Sequence, residues 1–350
     1  MRYSIIFICL LALIACKKKK TNEGAIPDEL KNGLLVLNEG LFQHNNSSLS
    51  WVNLADESIN NTFFEQKTNR GLGDTGNDMG RYGGKIYIVV NVSSTVEVLH
   101  ATTGKSIRQI SMFNGSTAKQ PRSIAFHGNK AFITCFDGYV DVLDTTTLNI
   151  VTRIPVGSNP DQLTVANNKI YVTNSGGLNA VMDSTVSVID PSSLTEISKI
   201  TVGLNPGSIA SDSNGEVYVI SRGNYSSIPS RMHRIDSQTD TKVQSFNFNA
   251  SSISPMGNQL LISYAATGSG TSEIALFDAT TESIVTNQFI NTSSILTLYG
   301  VSYSSTSNLI YIFDANNYTT TGYINLFQAN GQFIKRYQLG LNPSKVLIYD

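Results

Sequence analysis

Short alternating segments of apolar and polar residues recur along most of this chain. Each unit has a β-branched strand, a polar loop, a second strand ending in an acid, and a third strand. The first strands begin 39 to 52 residues apart, at Leu34, Ile86, Ala131, Ile170, Val217, Leu260 and Ile310. Repeats of this length with several strands each are typical of β-propeller blades. The pattern therefore predicts an all-β fold with one blade per repeat.

The second strands show where each unit turns. In segments such as 139–144 and 185–190, Val and Ile alternate with polar residues, which places one face of the strand inside a sheet sandwich. Asp144 and Asp190 stand at the ends of these strands. We expect both to accept backbone hydrogen bonds in Asx turns rather than to act in catalysis.

Three third strands lead into a Gly-x-Asn-Pro sequence, at 157–160, 203–206 and 340–343. Glycine readily adopts positive φ, and proline fixes the chain direction. We therefore expect the glycine to supply the turn before the next inner strand.

The two ends of the repeat region each carry part of one blade. The region opens on the strand Leu34 to Asn38, which is the first strand of its repeat unit but occupies the second position in a four-stranded blade. It stops after the strand Lys345 to Tyr349, which occupies the first position in a blade, nearest the central channel, and is called an inner strand. Pairing these two strands closes the ring and leaves no free sheet edge. The sequence thus predicts a seven-bladed β-propeller over residues 33–350, closed by the C-terminal strand joining the N-terminal blade. Six or eight blades would require a miscounted repeat, and the least regular stretch is 223–305.

The N-terminal segment has the features of an export signal. Arg2 precedes an apolar stretch, residues 3–14, that is too short to span a bilayer. It ends Leu-Ile-Ala-Cys at 13–16, which resembles the bacterial lipoprotein signal. We predict a signal peptide at 1–15, lipidation of Cys16, and a tether over 16–32 that includes four lysines. An ordinary secretory signal is the alternative.

The resemblance to bacterial lipoproteins also bears on localisation. No Asp follows Cys16. This favours a lipid anchor in the outer membrane over retention in the inner membrane, and leaves open whether the protein faces the cell surface or the periplasm.

Composition excludes some functions. The 350-residue chain has 15% charged residues and a net charge of −1, so it lacks the field that attracts nucleic acid. Of three cysteines, Cys9 and Cys16 belong to the leader region, so no internal disulfide can form in the mature chain. We expect Cys135 to be a buried apolar thiol.

The sequence contains no recognised catalytic or metal-binding motif. Gly-x-Ser-x-Gly, His-Glu-x-x-His and the P-loop are missing, and the four histidines lack ligand spacing. The segment 212–216 is better interpreted as a hairpin turn than as a calcium loop. We predict neither a metal site nor a cofactor, although a propeller enzyme could assemble a site from distant carboxylates.

Two levels of family resemblance are present. The segments Ile170–Asn174, Thr185–Asp190 and Ile200–Pro206 resemble the YVTN propeller repeat, and this resemblance covers residues from about 33 to the end. A narrower set of segments is similar to a family of envelope lipoprotein propellers: 37–40, 45–50, 73–79, 121–124, 159–162 and 174–177. That family includes surface-exposed cobalamin-binding proteins that work with a TonB-dependent outer-membrane transporter. The resemblance implies a corrinoid ligand and a transporter partner.

The candidate binding site lies where loops surround the central channel. Loops that follow second-position strands, and loops that enter inner strands, open on the same face of a propeller. Three of them, 174–185, 221–231 and 314–323, are long for hairpins. The predicted ligand-binding residues are Asn38, Glu39, Asp78, Asn91, Arg122, Asp137, Asp161, Gln162, Asn174, Arg222, Tyr225, Tyr299 and Asp314.

Other interpretations of these residues remain open. Asn and Asp are common turn formers, and Arg122 could neutralise Asp78 or Asp161 and so close the channel. Besides small-ligand binding, the fold could serve as a protein-interaction scaffold or adhesin. It could also be an enzyme acting on glycans, with Glu39 and Asp314 as acid and base.

Overall fold

Strands dominate the protein in a computed structural model that describes residues 24–265 and 272–350. The leader, Cys16 and most of the predicted tether lie outside the described residues. The described chain begins its regular structure with β1 (Gly33–Asn38), β2 (Ser48–Asn53), β3 (Ile59–Asn60) and the short helix α1 (Phe63–Thr68). Within the described residues, no helix is both long and apolar enough to cross a membrane.

Six complete blades follow along the chain. Blade I contains β4 (Gly76–Tyr82), β5 (Lys85–Val90), β6 (Thr95–His100) and β7 (Ser106–Ser111). A small hairpin, β8 (Phe113–Asn114) and β9 (Thr117–Ala118), precedes blade II. Blade II contains β10 (Pro121–His127), β11 (Lys130–Cys135), β12 (Tyr139–Asp144) and β13 (Ile150–Pro155). Blade III contains β14 (Pro160–Ala166), β15 (Lys169–Asn174), β16 (Thr185–Asp190) and β17 (Thr195–Thr201).

The second half of the ring repeats the arrangement. Blade IV contains β18 (Pro206–Ser211), β19 (Val217–Ser221), β20 (Arg231–Asp236) and β21 (Thr241–Phe246). Blade V contains β22 (Ala250–Met256), β23 (Gln259–Ala265), β24 (Ser272–Asp278) and β25 (Ser283–Ile290). Blade VI contains β26 (Leu298–Ser304), β27 (Leu309–Asp314), β28 (Thr321–Gln328) and β29 (Phe333–Leu341). The last strand is β30 (Pro343–Tyr349).

Blade VII is shared by the two ends of the described chain. Its strand order is β30-β1-β2-β3, and β30 pairs antiparallel with β1 over six residue pairs from Gly33–Tyr349 to Asn38–Pro343. The other six blades are four-stranded sheets with strands in chain order. The predicted seven blades and the predicted closure are both confirmed, and the described part of the irregular stretch 223–305 contains no additional repeat.

Apolar side chains fill the spaces between neighbouring blades. One cluster joins Tyr87 and Val89 of blade I to Ala131 and Ile133 of blade II, all fully buried. At the closure, Trp51 lies 6.3 Å from Phe63 and 5.7 Å from Tyr349 between ring centroids. Because each cluster needs both neighbours, removing one blade strand uncovers two blades.

The predicted turn chemistry is largely confirmed. The Asp144 carboxylate accepts hydrogen bonds from the N–H groups of Thr146 and Thr147, and Asp190 accepts one from Ser192. These backbone bonds are the leading cause of the lowered pKa of both aspartates. Asp212 likewise accepts from two N–H groups within its own hairpin, so segment 212–216 is a turn.

The expectation for the Gly-x-Asn-Pro turns was wrong in its assignment of positive φ. Asn159, Asn205 and Asn342 adopt it, at 43°, 56° and 54°. Asparagine tolerates this region because its side chain bonds locally. Glycine is required at position 157 for a different reason: a Cβ there would lie 2.4 Å from the side-chain amide carbon of Asn174. Close packing, rather than backbone conformation, therefore requires glycine there.

All seven inner strands begin with a β-bulge. In blade II the pairing skips from Pro121 to Ile124, and in blade III from Pro160 to Leu163. The same irregularity opens the other five inner strands. A bulge leaves residues unpaired and redirects their side chains. The residues after the first position of each inner strand are therefore aimed at the central channel.

Candidate functional site

A cavity of about 550 Å³ lies where the seven inner strands begin. Every blade contributes to its wall, and two residues that follow second-position strands, Glu39 and Arg222, reach it from the loops. The polar residues of the lining are Glu39, Asn77, Asp78, Arg122, Ser123, Asp161, Gln162, Ser208, Arg222, Ser252, Ser254, Tyr299, Ser302, Ser344 and Lys345. This cavity is the mouth of the central channel, and we call its side of the ring the mouth face.

Asp161 is held between two arginines. Its Oδ1 lies 3.3 Å from both Nε and Nη2 of Arg122, and its Oδ2 accepts a 2.9 Å hydrogen bond from Nη1 of Arg222. Arg122 also donates to Asn77 Oδ1 at 2.8 Å and lies over the Phe136 ring at 4.7 Å. Burial acts to raise the pKa of Asp161, but the two guanidinium charges outweigh it and hold the pKa below its ordinary value.

A glycine leaves the space that one of these two arginines occupies. Arg222 packs on Gly207, whose missing Cβ would lie 2.1 Å from the guanidinium carbon. The Asn-Pro-Gly sequence at 205–207 therefore places Arg222 over the channel. Of the two partners weighed for Arg122, the structure selects Asp161.

A second ionic contact crosses the ring closure. Lys345 Nζ of β30 lies 3.1 Å from Asp78 Oδ1 of β4. The other carboxylate oxygen of Asp78 accepts hydrogen bonds from the Ser123 hydroxyl and from the N–H of Ile124. Asp78 thus ties blades VII, I and II together at the wall of the cavity.

Glu39 and Tyr299 form the third polar pair. The Tyr299 hydroxyl donates to Glu39 Oε2 at 2.5 Å. Burial raises the pKa of Glu39, and the hydrogen bond from Tyr299 and the charge of Arg122 oppose the rise. Burial, together with the neighbouring Glu39, also raises the pKa of Tyr299 well above its ordinary value. Burial therefore makes Glu39 easier to protonate than an ordinary glutamate.

The cavity offers hydrogen-bond donors and acceptors on a wall that also carries apolar side chains. Below the charged pairs, the wall is formed by serines and by apolar residues such as Ile124, Leu163 and Ile209. Within residues 24–265 and 272–350, no three His, Cys, Asp or Glu side chains are grouped as metal ligands. The arrangement suits binding of a molecule that has both polar substituents and apolar surface.

The structure brings seven of the predicted residues to this cavity. They are Glu39, Asp78, Arg122, Asp161, Gln162, Arg222 and Tyr299. The other six do not line it, and all six have hydrogen-bond or ion-pair partners elsewhere.

Asn38 and Asn174 are fully buried at the ends of β1 and β15. The Asn174 amide donates to the hydroxyls of Thr185 and Ser187 and accepts from the Gly157 N–H. Asn38 makes the matching bonds to Ser48 and Ser50. These asparagines join strands within a blade and do not reach the cavity.

Asn91 and Asp314 are also occupied by local bonds. The Asn91 amide donates to the Pro121 carbonyl at 3.1 Å. Asp314 is fully buried, is paired with Arg336 at 2.8 Å, and accepts two bonds from the 296–297 backbone. Asp314 does not line the cavity, so the proposed Glu39–Asp314 acid–base pair is not brought together there.

The last two predicted residues are nearer solvent. Asp137 pairs with Arg153 at 2.6 Å, outside the cavity. Tyr225 is 72% exposed on the loop after β19, and its hydroxyl accepts a hydrogen bond from Asn205. Tyr225 therefore belongs to the rim of the mouth face.

Sequence reasoning missed Asn77, Ser208, Ser252 and Lys345 as cavity residues. All four lie at the second or third position of an inner strand, within or just after the bulge. The available signal was their distance from the Pro, Gly or Ala that opens each of these four strands. Residue type alone did not mark the serines.

Exposed apolar side chains concentrate on the mouth face. Among the described residues, the outermost strands of blades I to VI, which are β7, β13, β17, β21, β25 and β29, carry seven exposed large apolar residues. The connections on the mouth face, including the small hairpin β8–β9, carry eight: Phe42, Phe113, Leu178, Val181, Tyr225, Ile228, Leu296 and Tyr318. The opposite face carries only Leu54 in the described part of the chain. We call these eight side chains the apolar rim.

The fold and this cavity define the protein as a seven-bladed β-propeller with a polar central mouth. Its sequence matches the model of a domain of unknown function (DUF5074) over residues 32–342. The chain therefore belongs to the DUF5074 family. None of the curated proteins compared matches the sequence.

Solved structures share the fold at low sequence identity. A quinonprotein alcohol dehydrogenase-like protein from Bacteroides thetaiotaomicron is 12% identical with a TM-score of 0.68, covering 91% of this chain and 78% of its own. Hydrazine synthase from Kuenenia stuttgartiensis is 15% identical with a TM-score of 0.61, covering 77% and 88%. The computationally designed Ika8 protein is 13% identical with a TM-score of 0.57, covering 90% of both chains. At these identities the likeness concerns the fold alone.

Proposed function

We propose that this protein is a lipid-anchored binding protein of the cell envelope that captures a small ligand at the mouth of its propeller. The observation that carries the proposal is the convergence of Arg122, Arg222, Asp161, Asp78 and Lys345 in one cavity. Ion pairs that only close a channel could be replaced by apolar side chains at little cost in stability. Their concentration at an open, loop-rich face favours recognition. The Leu-Ile-Ala-Cys segment at 13–16 supports the lipid anchor.

A corrinoid such as cobalamin is the ligand to test first. Its periphery carries amide groups, which can donate to carboxylates and accept from guanidinium groups. The whole ligand is larger than a cavity of about 550 Å³, so it would lie across the mouth with only its edge in the cavity. Tyr225 and Tyr318 of the apolar rim would then contact its face.

The experiment is a calorimetric titration of cyanocobalamin into the chain without its predicted leader. We expect saturable binding, and we expect Arg122→Ala to weaken it at least about tenfold, because the variant removes a charged hydrogen-bonding group. Arg108→Ala is the matched control, since Arg108 lies on the outer strand β7. The corrinoid assignment fails if no heat develops up to about 1 mM ligand, an affinity too weak for capture. If the two arginine variants bind cyanocobalamin with equal affinity, the cavity is not part of the binding site.

A protein partner at the same face is the second candidate function. The apolar rim favours it, because large apolar side chains that surround one face commonly mark protein contacts. An outer-membrane transporter would be such a partner. Replacing Leu178 and Val181 with serine leaves the cavity lining intact. This variant should lose partner capture while retaining ligand binding, which separates the two functions.

A further inference from the structure

Half of the apolar rim is concentrated on two neighbouring loops. Leu178 and Val181 stand on the loop after β15, and Tyr225 and Ile228 stand on the loop after β19. These four side chains are between 46% and 82% exposed, and each of the other four rim residues lies on a separate connection. Large exposed apolar side chains that are grouped in this way mark a contact surface for another molecule.

The connector between blades III and IV is bonded to both of these loops. The Asn205 N–H donates to the carbonyl of Asp183, at the end of the first loop, at 2.8 Å. The N–H of Arg222, at the start of the second loop, donates to the Asn205 carbonyl at 2.9 Å. The Asn205 side-chain amide also donates to the Tyr225 hydroxyl. These bonds hold the apolar side chains of both loops around one region of the mouth face.

A cleft of about 390 Å³ opens beside this region, and we call it the blade IV cleft. It lies between the connector 202–204 and the 227–229 part of the loop after β19, where Leu204, Ile228 and Pro229 supply apolar surface. It shares no lining residue with the central cavity. A cavity of about 150 Å³ holds a benzene ring. The cleft therefore has room for a side chain as large as that of tryptophan.

The charged groups beside the cleft are positive. Arg231 and Lys242 line it, and both side chains are exposed. Neither forms an ion pair within the described residues. No Asp or Glu is among the lining residues. The nearby Asp183 carboxylate already accepts hydrogen bonds from backbone N–H groups at 158, 184 and 185. The surface is thus complementary to an occupant that carries acidic groups.

We propose that the blade IV cleft binds a loop of a partner protein in which a large apolar side chain lies between acidic residues. The apolar side chain enters the cleft, and the acidic residues face Arg231 and Lys242. Leu178, Val181 and Tyr225 surround this contact and exclude water from it. The inference names the contact made in the second candidate function, a protein partner at the mouth face, and rests on that function. It does not depend on the corrinoid assignment.

Three synthetic peptides test the proposal on the chain without its predicted leader. The probe is Asp-Glu-Trp-Glu-Asp. In Asp-Glu-Ala-Glu-Asp the large side chain is missing, and in Lys-Lys-Trp-Lys-Lys the charge is reversed. By saturation-transfer NMR we expect saturable binding of the probe and at least about tenfold weaker binding of the other two, since they lose the anchor or the charge complementarity. The proposal is overturned if the probe shows no binding up to about 10 mM, or if the charge-reversed peptide binds as well as the probe.

Matched variants place the contact in the cleft. Ile228→Asp puts a carboxylate there and should abolish binding, whereas Ile107→Asp, at similar exposure on β7, should not. Arg231→Gln and Lys242→Gln should each weaken binding about threefold, as expected for exposed charges, and Lys105→Gln should not. Equal binding by the two aspartate variants contradicts the proposal. If Ile228→Asp does not fold, equal affinities of the three glutamine variants contradict it.

Two further outcomes separate this proposal from its neighbours. Concentration-dependent dimerisation in gel filtration that Ile228→Asp abolishes would assign the cleft to a second copy of this chain and overturn the proposal. The serine variant of Leu178 and Val181 tests whether the rim captures a partner, and the peptides test the cleft without that partner, so the two can fail separately. Arg231 and Lys242 do not line the central cavity, so their glutamine variants should bind cyanocobalamin as the wild type does.

Discussion

Removing the last eight residues should unfold the whole domain, because they contain β30, the inner strand of blade VII. The ladder between β30 and β1 has six residue pairs, which at about 1 kcal/mol of net stability each contribute roughly 6 kcal/mol. Tyr349 packs on Trp51, and losing a buried aromatic side chain costs about 3–5 kcal/mol. The sum, on the order of 10 kcal/mol, equals a typical total stability of about 5–15 kcal/mol.

Circular dichroism melting and gel filtration measure this outcome. The chain ending at Asn342 should lack a cooperative transition and should aggregate, since the edge of β1 is exposed. Tyr349→Ala should remain folded but lose about 3–5 kcal/mol. Removal of Asp350 alone is the control and should leave the transition in place, because this exposed residue follows β30. A truncated chain that melts like the full chain would refute the closed ring.

Two further predictions concern blades III and IV. Because burial lowers the pKa of His233 from 6.5 to about 4, the unfolded chain binds a proton there before the folded chain does. Stability should therefore fall by about 3 kcal/mol between pH 6.5 and 4, and denaturant titrations of His233→Gln should lack this component. Gly157→Ala should destabilise by about 1–3 kcal/mol through contact with Asn174, since φ is not positive there. The double variant with Asn174→Ala should recover part of the loss, and a neutral Gly157→Ala would contradict the packing argument.

The fold was predictable because its determinants are local and repeated. Each blade shows a strand pattern such as Ile170–Asn174 followed by a turn aspartate, and these signals do not depend on distant residues. Ring closure was predictable because the two partial units at the ends complement each other. The position of the turn at 157–160 was predicted. The role of its glycine was not, because that role depends on the side chain of Asn174, seventeen residues later.

The candidate site was predictable only in part, for a geometric reason. Residues at inner-strand starts, such as Arg122 and Asp161, reach the cavity as expected. Residues at the ends of second-position strands, such as Asn38 and Asn174, point into their own blade instead. Sequence position places both sets at the same face and does not distinguish inward from sideways orientation. That distinction arises from the bulges, and no particular residue type in the sequence indicates where a bulge occurs.

The bulges also explain why recognition and stability can vary separately in this ring. The residues in a bulge make no regular ladder bonds, so a change such as Gln162 to another polar residue disturbs little backbone pairing. The next residue inward, such as Ile209, is mostly buried and holds the blade in place. Seven such junctions surround one cavity, and each places residues without ladder bonds beside one that is paired in the sheet. Substitutions of uncharged bulge residues should therefore alter ligand preference at small cost in stability, whereas substitutions one step further should act chiefly on folding.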